Sequence, residues 1–257
     1  MELGDFTQLA QAYKNRTGYS LTVLQVIQAY IEKKSGPVSA VADVGAGTGK
    51  LTENLAQLGL RGFAVEPNDA MREEGVRLFA GQTSFAWSKG LAEVTGLPDN
   101  CVDWVLMGSS FHWADAPVAL QEFHRILKPG GFFTAIWNPR DLERSTFHMD
   151  IERAIQKMVP HLKRVSSGSR MNMTDMEGKM LCTPYFEDLF LIEGPHEAVM
   201  SRERYMGAWR SVNDIHAQAG DALFEDILQM IEEKISGLEQ VTVPYLSRAF
   251  TVRSTKR

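Results

Sequence analysis

The stretch VADVGAGTGKLT, residues 41–52, places three glycines in five positions directly after an apolar run. A strand that ends in so tight a bend lets a ligand come close to the backbone, because glycine has no Cβ to hold it off. The segment that follows, KLTENLAQLG, puts Leu51, Leu55 and Leu58 on one helical face and stops at Gly59. Its N-terminal N–H groups point back at the bend, where an acceptor is favoured.

The spacing narrows the ligand. A phosphate-binding P-loop reads G-x-x-x-x-G-K-[ST]. Gly49-Lys50 fits, but the first glycine would fall at Val44 and the hydroxyl at Leu51, which leaves no magnesium ligand. The dinucleotide fingerprint G-x-G-x-x-G/A fits Gly45 and Gly47 but meets Lys50 where a small residue should let helix and strand pack closely. A nicotinamide-type oxidoreductase therefore stays open as a weakened alternative. The pattern present is Asp43-x-Gly45-x-Gly47-x-Gly49, with Glu66 at the end of a second apolar run, RGFAVEP. A carboxylate there can take both hydroxyls of a ribose and would repel a 2′-phosphate.

Strand and helix alternate around this loop. SLTVLQVIQAYIEKK (residues 20–34) has helical spacing, and the runs VSAVADVG, RGFAVEP, TSFAWSKG, VDWVLMGSS and FFTAIWN read as strands. Between them NDAMREEGVRLF, capped by Asn68 or Asp69, and DAPVALQEFHRIL read as helices, with KPGG as a turn. The alternation predicts an α/β fold with a parallel sheet covered by helices on both faces.

After Pro139 the regularity breaks. Residues 141–163 look helical, with Ile151, Ala154, Ile155 and Met158 as a stripe, and residues 165–181 look polar and irregular. YFEDLFLIEGPHEAVM and VTVPYLSRAFTVRS add strands, SRERYMGAWRSVNDIHAQAG and DALFEDILQMIEEKI two helices, and the last residues a solvated basic tail. The expected division is a helical lid at 1–36, a core at 37–140 and 184–257, and a cap insertion at 141–183 over the sheet's carboxyl edge, where open α/β sheets bind ligands. The cap carries Met149, Met158, Met171, Met173, Met176 and Met180, and methionine suits adaptable apolar surfaces.

Bulk properties exclude several classes. A net charge of −5 speaks against a nucleic-acid partner. Cys101 and Cys182 are the only cysteines and sit in no metal-ligand spacing, so neither a metal site nor a disulfide framework is expected. No apolar run approaches the roughly 20 residues of a membrane span. The N-terminus lacks a signal-peptide pattern, so a reduced cytoplasmic setting is expected.

Six segments in order, VADVGAGTGKLT, AVEPNDAM, GLAEVTGLPDNCVDWV, SSFHWAD, ILKPGGFF and IWNPRD, resemble the consecutive motifs of class I S-adenosylmethionine-dependent methyltransferases. The similarity covers roughly residues 13–141. It is nearest the small-molecule, type 11-like branch, with its Y…RPGYP start and FHW segment. The resemblance implies a Rossmann-like, doubly wound, mostly parallel seven-stranded sheet. It implies S-adenosyl-L-methionine as cofactor and a methyl group moved to a nitrogen or oxygen of a small metabolite, such as a natural-product intermediate. A non-catalytic cofactor-binding relative is a further alternative. The helical N-terminus and long cap could build a homo-oligomer interface.

Residue by residue, the resemblance places Asp43, Gly45, Ala46 and Gly47 around the methionine part of the cofactor, and Glu66 with Pro67 at the ribose. It puts Ala92 and Glu93 beside adenine, and Ser109 and Ser110 at the methionine end. Many relatives carry Asp before the Ala-Glu pair; this chain has Leu91. YKNRTGYS matches the N-terminal motif at Tyr13, Arg16, Gly18 and Tyr19, with Thr17 and Ser20 in place of prolines. Arg16 would pair the cofactor carboxylate in a bidentate fork, and Tyr13 would line the reaction centre or lie over the cofactor.

His112 follows the fourth strand near the expected methyl, and its ordinary pKa of about 6.5 suits a general base. Substrate contact and loop positioning are its other readings. Tyr19, Phe111, Trp113, Trp137 and Asn138 are candidate substrate contacts, the aromatics through cation–π attraction. Tyr185, His196, Trp209 and Arg210 are further candidates from the C-terminal half.

Overall fold

The computed structural model describes residues 7–164 and 173–257. A short helix α1 (Ala10–Tyr13) precedes α2 (Leu21–Ser35). Then come β1 (Val41–Val44), α3 (Lys50–Gln57), β2 (Gly62–Val65), α4 (Asp69–Leu78), β3 (Phe85–Ser88), β4 (Val102–Gly108), α5 (Ala116–Ile126) and β5 (Leu127–Trp137). The remainder is α6 (Thr146–Met158), α7 (Met173–Met180), β6 (Phe186–Ser201), α8 (Arg202–Arg210), α9 (Asn213–Ala219), α10 (Asp221–Lys234) and β7 (Gln240–Ser254). The strands form one sheet in the order β3-β2-β1-β4-β5-β7-β6. β1 to β5 run parallel, and β7 is antiparallel to both β5 and β6.

The strand alternation sorts the core into two faces. Val105 and Met107 of β4 and Phe133, Ala135 and Trp137 of β5 lie with Leu120, Phe123 and Ile126 of α5. Trp104, Leu106, Phe132 and Ile136, the intervening residues, lie with Leu24, Ile27 and Ile31 of α2 and Leu51 and Leu55 of α3. Helices therefore cover both faces, as the alternation predicts. Strand order reverses between β1 and β4, which opens a crevice at their carboxyl ends.

Local chemistry starts the helices where the sequence implies. The Asn68 side chain accepts from Met71 N–H at 3.0 Å, which identifies Asn68 as the cap of α4. Asp115 caps α5. Gly49, with φ of 90°, turns the chain into α3, and a Cβ there would lie 2.6 Å from Phe79.

Four details differ from the sequence reading. KPGG lies inside β5, where the pairing with β4 shifts register. Residues 173–180 form α7, whose Met176 and Met180 are buried in the core shared with α5; Met171 lies outside the described residues. The expected single helix over 201–220 divides at Ser211, whose hydroxyl donates to Ala208 C=O at 2.6 Å. The basic C-terminus is docked: Lys256 donates to the C=O groups of His124, Arg125 and Leu127 at 2.9–3.1 Å. Those carbonyls close α5 and have no partner within the helix, so a cation there is stabilising.

A further apolar cluster lies outside the sheet. Ile151 and Ile155 of α6, Tyr205 and Trp209 of α8, and Phe224, Ile227 and Ile231 of α10 pack with Met200, Val241, Val243 and Tyr245 from the far ends of β6 and β7.

Candidate functional site

A cavity of about 340 Å³ opens at the carboxyl ends of β1, β2 and β4. The glycine loop forms its floor. Gly45 has φ of 70°, and a Cβ there would sit 2.8 Å from the Ser110 hydroxyl, so only glycine fits. Ser109 also adopts a left-handed conformation, φ 53°, which turns the chain sharply after β4; its hydroxyl accepts from Tyr19 at 3.1 Å.

Two acids define the cavity's first half. Asp43 is fully buried at the end of β1. One of its oxygens accepts from Thr52 at 2.6 Å, while Oδ1 is buried with no partner. Burial pushes the carboxyl up to about 7, and the Thr52 hydrogen bond opposes this. Glu66 accepts from Gly47 N–H at 2.7 Å and Asn68 N–H at 2.9 Å. It ties the glycine loop to the start of α4, and each oxygen keeps a lone pair for another donor. Burial raises its carboxyl too. Glu93 lines the wall and accepts from Asp115 N–H at 2.7 Å, holding the loop before α5.

The structure brings most of the expected residues together. Tyr13, Arg16, Tyr19, Asp43, Gly45, Ala46, Gly47, Glu66 and Pro67 line this cavity, and so do Ala92, Glu93, Ser109, Ser110, Trp113 and Asn138. Phe111, His112 and Trp137 do not. Phe111 and Trp137 are buried in the core shared with α5. His112 lies behind the wall, its Nδ1 accepting from Trp137 Nε1 at 3.4 Å, with Nε2 buried and unpartnered. Desolvation drives its pKa down to about 4, helped by the nearby Lys179 charge. The imidazole is neutral at pH 7 but has no direct route to a ligand in the cavity.

Two lining residues are already engaged. Arg16 donates from Nε and Nη2 to the hydroxyl and C=O of Ser211 at 2.8 and 2.7 Å, and from Nη1 to the Tyr13 hydroxyl at 3.0 Å. It ties the N-terminal segment to the turn between α8 and α9. Asn138 donates to Gly18 C=O at 2.9 Å and accepts from Ser247 and from His196, both at 2.8 Å. It knits four chain segments together. Tyr185, His196, Trp209 and Arg210 do not line the cavity.

The sequence reading missed Arg140, Arg164 and Tyr245, all on the far side of the cavity. Arg140 stands just past β5 within IWNPRD, so its position at a strand's carboxyl end was a usable signal. Arg164 and Tyr245 arrive through tertiary packing and carry no local signal. Among the described residues, no cluster of three or more His, Cys, Asp or Glu side chains could hold a metal. No helix among them is long and apolar enough to cross a membrane.

Comparison with known proteins agrees with this geometry. Residues 42–135 match the family described as a methyltransferase domain. An uncharacterized methyltransferase of Mycobacterium tuberculosis is 43% identical over 101 residues, 39% of this chain and 40% of that protein. An uncharacterized methyltransferase of Schizosaccharomyces pombe is 24% identical over 225 residues, 83% of this chain and 82% of that protein. The match thus spans less than half the length of the more identical relative. Among solved structures, a provisionally named type II methyltransferase from Anaeromyxobacter dehalogenans superposes with a TM-score of 0.60 at 18% identity, covering 94% of this chain and 97% of that one. Residues 42–135 thus resemble a methyltransferase domain, and the chain has the fold of this solved methyltransferase structure.

Proposed function

We propose that this chain is an S-adenosyl-L-methionine-dependent methyltransferase that methylates a nitrogen or oxygen of a small metabolite. The observation that carries the reading is Asp43 Oδ1: a buried carboxylate oxygen without a partner, on a residue lining a cavity. A buried acceptor left unpaired costs about 1–3 kcal/mol, and the ammonium of an amino-acid ligand would satisfy it. The Gly45 backbone beside it admits a ligand that a side chain would displace. The residues present fit the methionine end of the cofactor.

Glu66, with one lone pair free on each oxygen, would hold the ribose hydroxyls, with Pro67 beside it. Ala92 and Glu93 would flank adenine, and Ser109 and Ser110 would border the methionine end. Bound there, the cofactor supplies an already activated methyl group, so the chain's own task is alignment and exclusion of water. Tyr13, Tyr19 and Trp113 would close the cavity around the reacting atoms. The N-terminal segment acts as a lid in this reading; of the expected cap, Arg164 reaches the cavity, whereas Met176 and Met180 of α7 pack into the core with α5. Arg16, held by Ser211, keeps guanidinium N–H groups for the cofactor carboxylate.

Calorimetric titration with S-adenosylhomocysteine and, separately, NADH tests the reading. Saturable binding of S-adenosylhomocysteine alone is expected, weakened ~10-fold or more by Glu66→Ala, the loss of a charged hydrogen-bond acceptor. Saturable binding of NADH alone would overturn it.

A further inference from the structure

The charges around the cavity are segregated. Its lining acids, Asp43, Glu66 and Glu93, stand at the end of β1 and after β2 and β3. Three of its four lining cations, Arg16, Arg140 and Arg164, come instead from the N-terminal segment, the end of β5 and the end of the segment after α6; the fourth, Lys50, pairs with Glu53. The half of the cavity facing β5 and β7 therefore presents arginines and no lining carboxylate.

The three arginines are not equally satisfied. Arg16 gives three of its five N–H groups to Ser211 and Tyr13. Arg164 is paired with both oxygens of Glu152 at 2.9 and 2.7 Å and with Asp214 at 3.2 Å. Arg140 shares that same Glu152 only through one long contact of 3.5 Å. Its Nε is buried with no acceptor, and its guanidinium carbon lies over the Trp209 ring, 3.8 Å from the centroid. Stacking fixes the plane of the fork and leaves its edge as the place for an anion. The backbone adds to this fixity, since Arg140 bridges to Tyr245 of β7.

The geometry points to a carboxylate on the methyl-acceptor molecule, held by the planar edge of Arg140 on the β5–β7 side of the cavity. This rests on the reading of the opposite half as the cofactor site. The cofactor's own carboxylate would sit beside Arg16, at the seam between the halves. Arg140 acts here as a specificity-determining contact: it selects acceptors that carry an anion and turns them toward the cofactor half. The acceptor atom itself is a separate group of the same molecule or the carboxylate's other oxygen, and neither choice alters the anchoring contact.

The test uses protein saturated with S-adenosylhomocysteine, then titrated with small acids (benzoate, phenylacetate, cinnamate, glutarate, glutamate) and the matching primary amides. At least one acid is expected to bind ~10-fold or more tighter than its amide, the size of a charge-assisted pair. Arg140→Met should remove that preference while S-adenosylhomocysteine affinity stays within about twofold; Arg140→Lys, which keeps the charge without the planar fork, should restore part of it. Amides binding as well as acids, no acid binding at all, or an acid preference that survives Arg140→Met would each overturn the proposal. Loss of S-adenosylhomocysteine binding in the wild-type chain would instead strike the cofactor reading.

Discussion

The two halves of the cavity are built in different ways. On the side of β1 and β2, the two acids sit at or just past a strand end, and their hydrogen bonds are short in sequence: Asp43 with Thr52, Glu66 with Gly47 and Asn68. On the side of β5 and β7 the ties span the chain: Arg16 to Ser211 across 195 residues, Asn138 to Gly18 across 120, and Arg164 to Asp214 across 50. One half is fixed by local loop geometry. The other depends on the extra apolar cluster staying assembled. In the proposed reading the first half takes the cofactor and the second the acceptor.

The strongest way to break this contrast is to dissolve the second cluster. Trp209 is 1% exposed, sits among the side chains of that cluster and carries Arg140 on its face. Trp209→Ala is expected to cost about 3–5 kcal/mol of stability, the usual range for emptying a buried tryptophan site. Trp209 does not line the cavity. At a temperature where the variant remains folded, its S-adenosylhomocysteine affinity should therefore stay close to that of the parent, as calorimetry would show. If affinity fell in step with the denaturation midpoint, the two halves would be one unit and the contrast would fail.

The complementary change is Asp43→Asn. It should weaken S-adenosylhomocysteine by roughly 1.5–3 kcal/mol, the worth of a hydrogen bond to a charged group, without lowering stability. The pH dependence sharpens the point. Asp43 ionises near about 4 in an unfolded chain, but burial holds it up to about 7 in the fold. The folded state thus binds more protons between those values, and Asp43's contribution to stability falls as pH rises through that window. Ligand affinity runs the other way, because an ammonium prefers the ionised carboxylate. S-adenosylhomocysteine should bind more tightly at about pH 8 than at about pH 6, and the Asp43→Asn substitution should flatten that slope. An unchanged slope would show that Asp43 does not meet the ligand.

The same contrast explains what could be read from the chain. The glycine bend, Glu66, the Asn68 cap and the period-two strands are written in residues a few positions apart, so spacing alone locates them. Leu91 and the Ala92-Glu93 pair likewise fall where the strand pattern puts them. Its distance from β4 alone puts His112 near the methyl, but the helical turn at Phe111–Trp113 directs Phe111 into the core and leaves His112 against Trp137. Spacing does not tell which way a single turn faces. Residues 173–180 look polar, yet Met176 and Met180 seat α7 against α5 and the start of β6, contacts that the local pattern does not show. Arg164 and Tyr245 reach the cavity only after α6 and β7 have packed, and no local pattern encodes that.

The smallest expected effect probes the seam between the halves. Ser211 is fully buried, and its hydroxyl accepts from Arg16 Nε while donating to Ala208 C=O. Ser211→Ala removes that acceptor, yet Arg16 Nη2 still reaches the Ser211 C=O at 2.7 Å and Nη1 still reaches Tyr13. One neutral partner of a charged group is lost while two remain, so global stability should fall by only about 0.5–1.5 kcal/mol. The effect should be local: amide hydrogen exchange should quicken at Asn15 and Arg16, whose N–H groups bond to Ala12 and Tyr13 in the turn after α1, while β1 and β4 keep their protection. Because Arg16 also lines the cavity, S-adenosylhomocysteine should restore part of that protection if the N-terminal segment closes over the ligand. Exchange that stays as slow as in the parent would mean that Ser211 does not hold the segment in place. Quickened exchange that the ligand leaves untouched would mean that the segment is fastened to the second half alone and takes no part in enclosing the first.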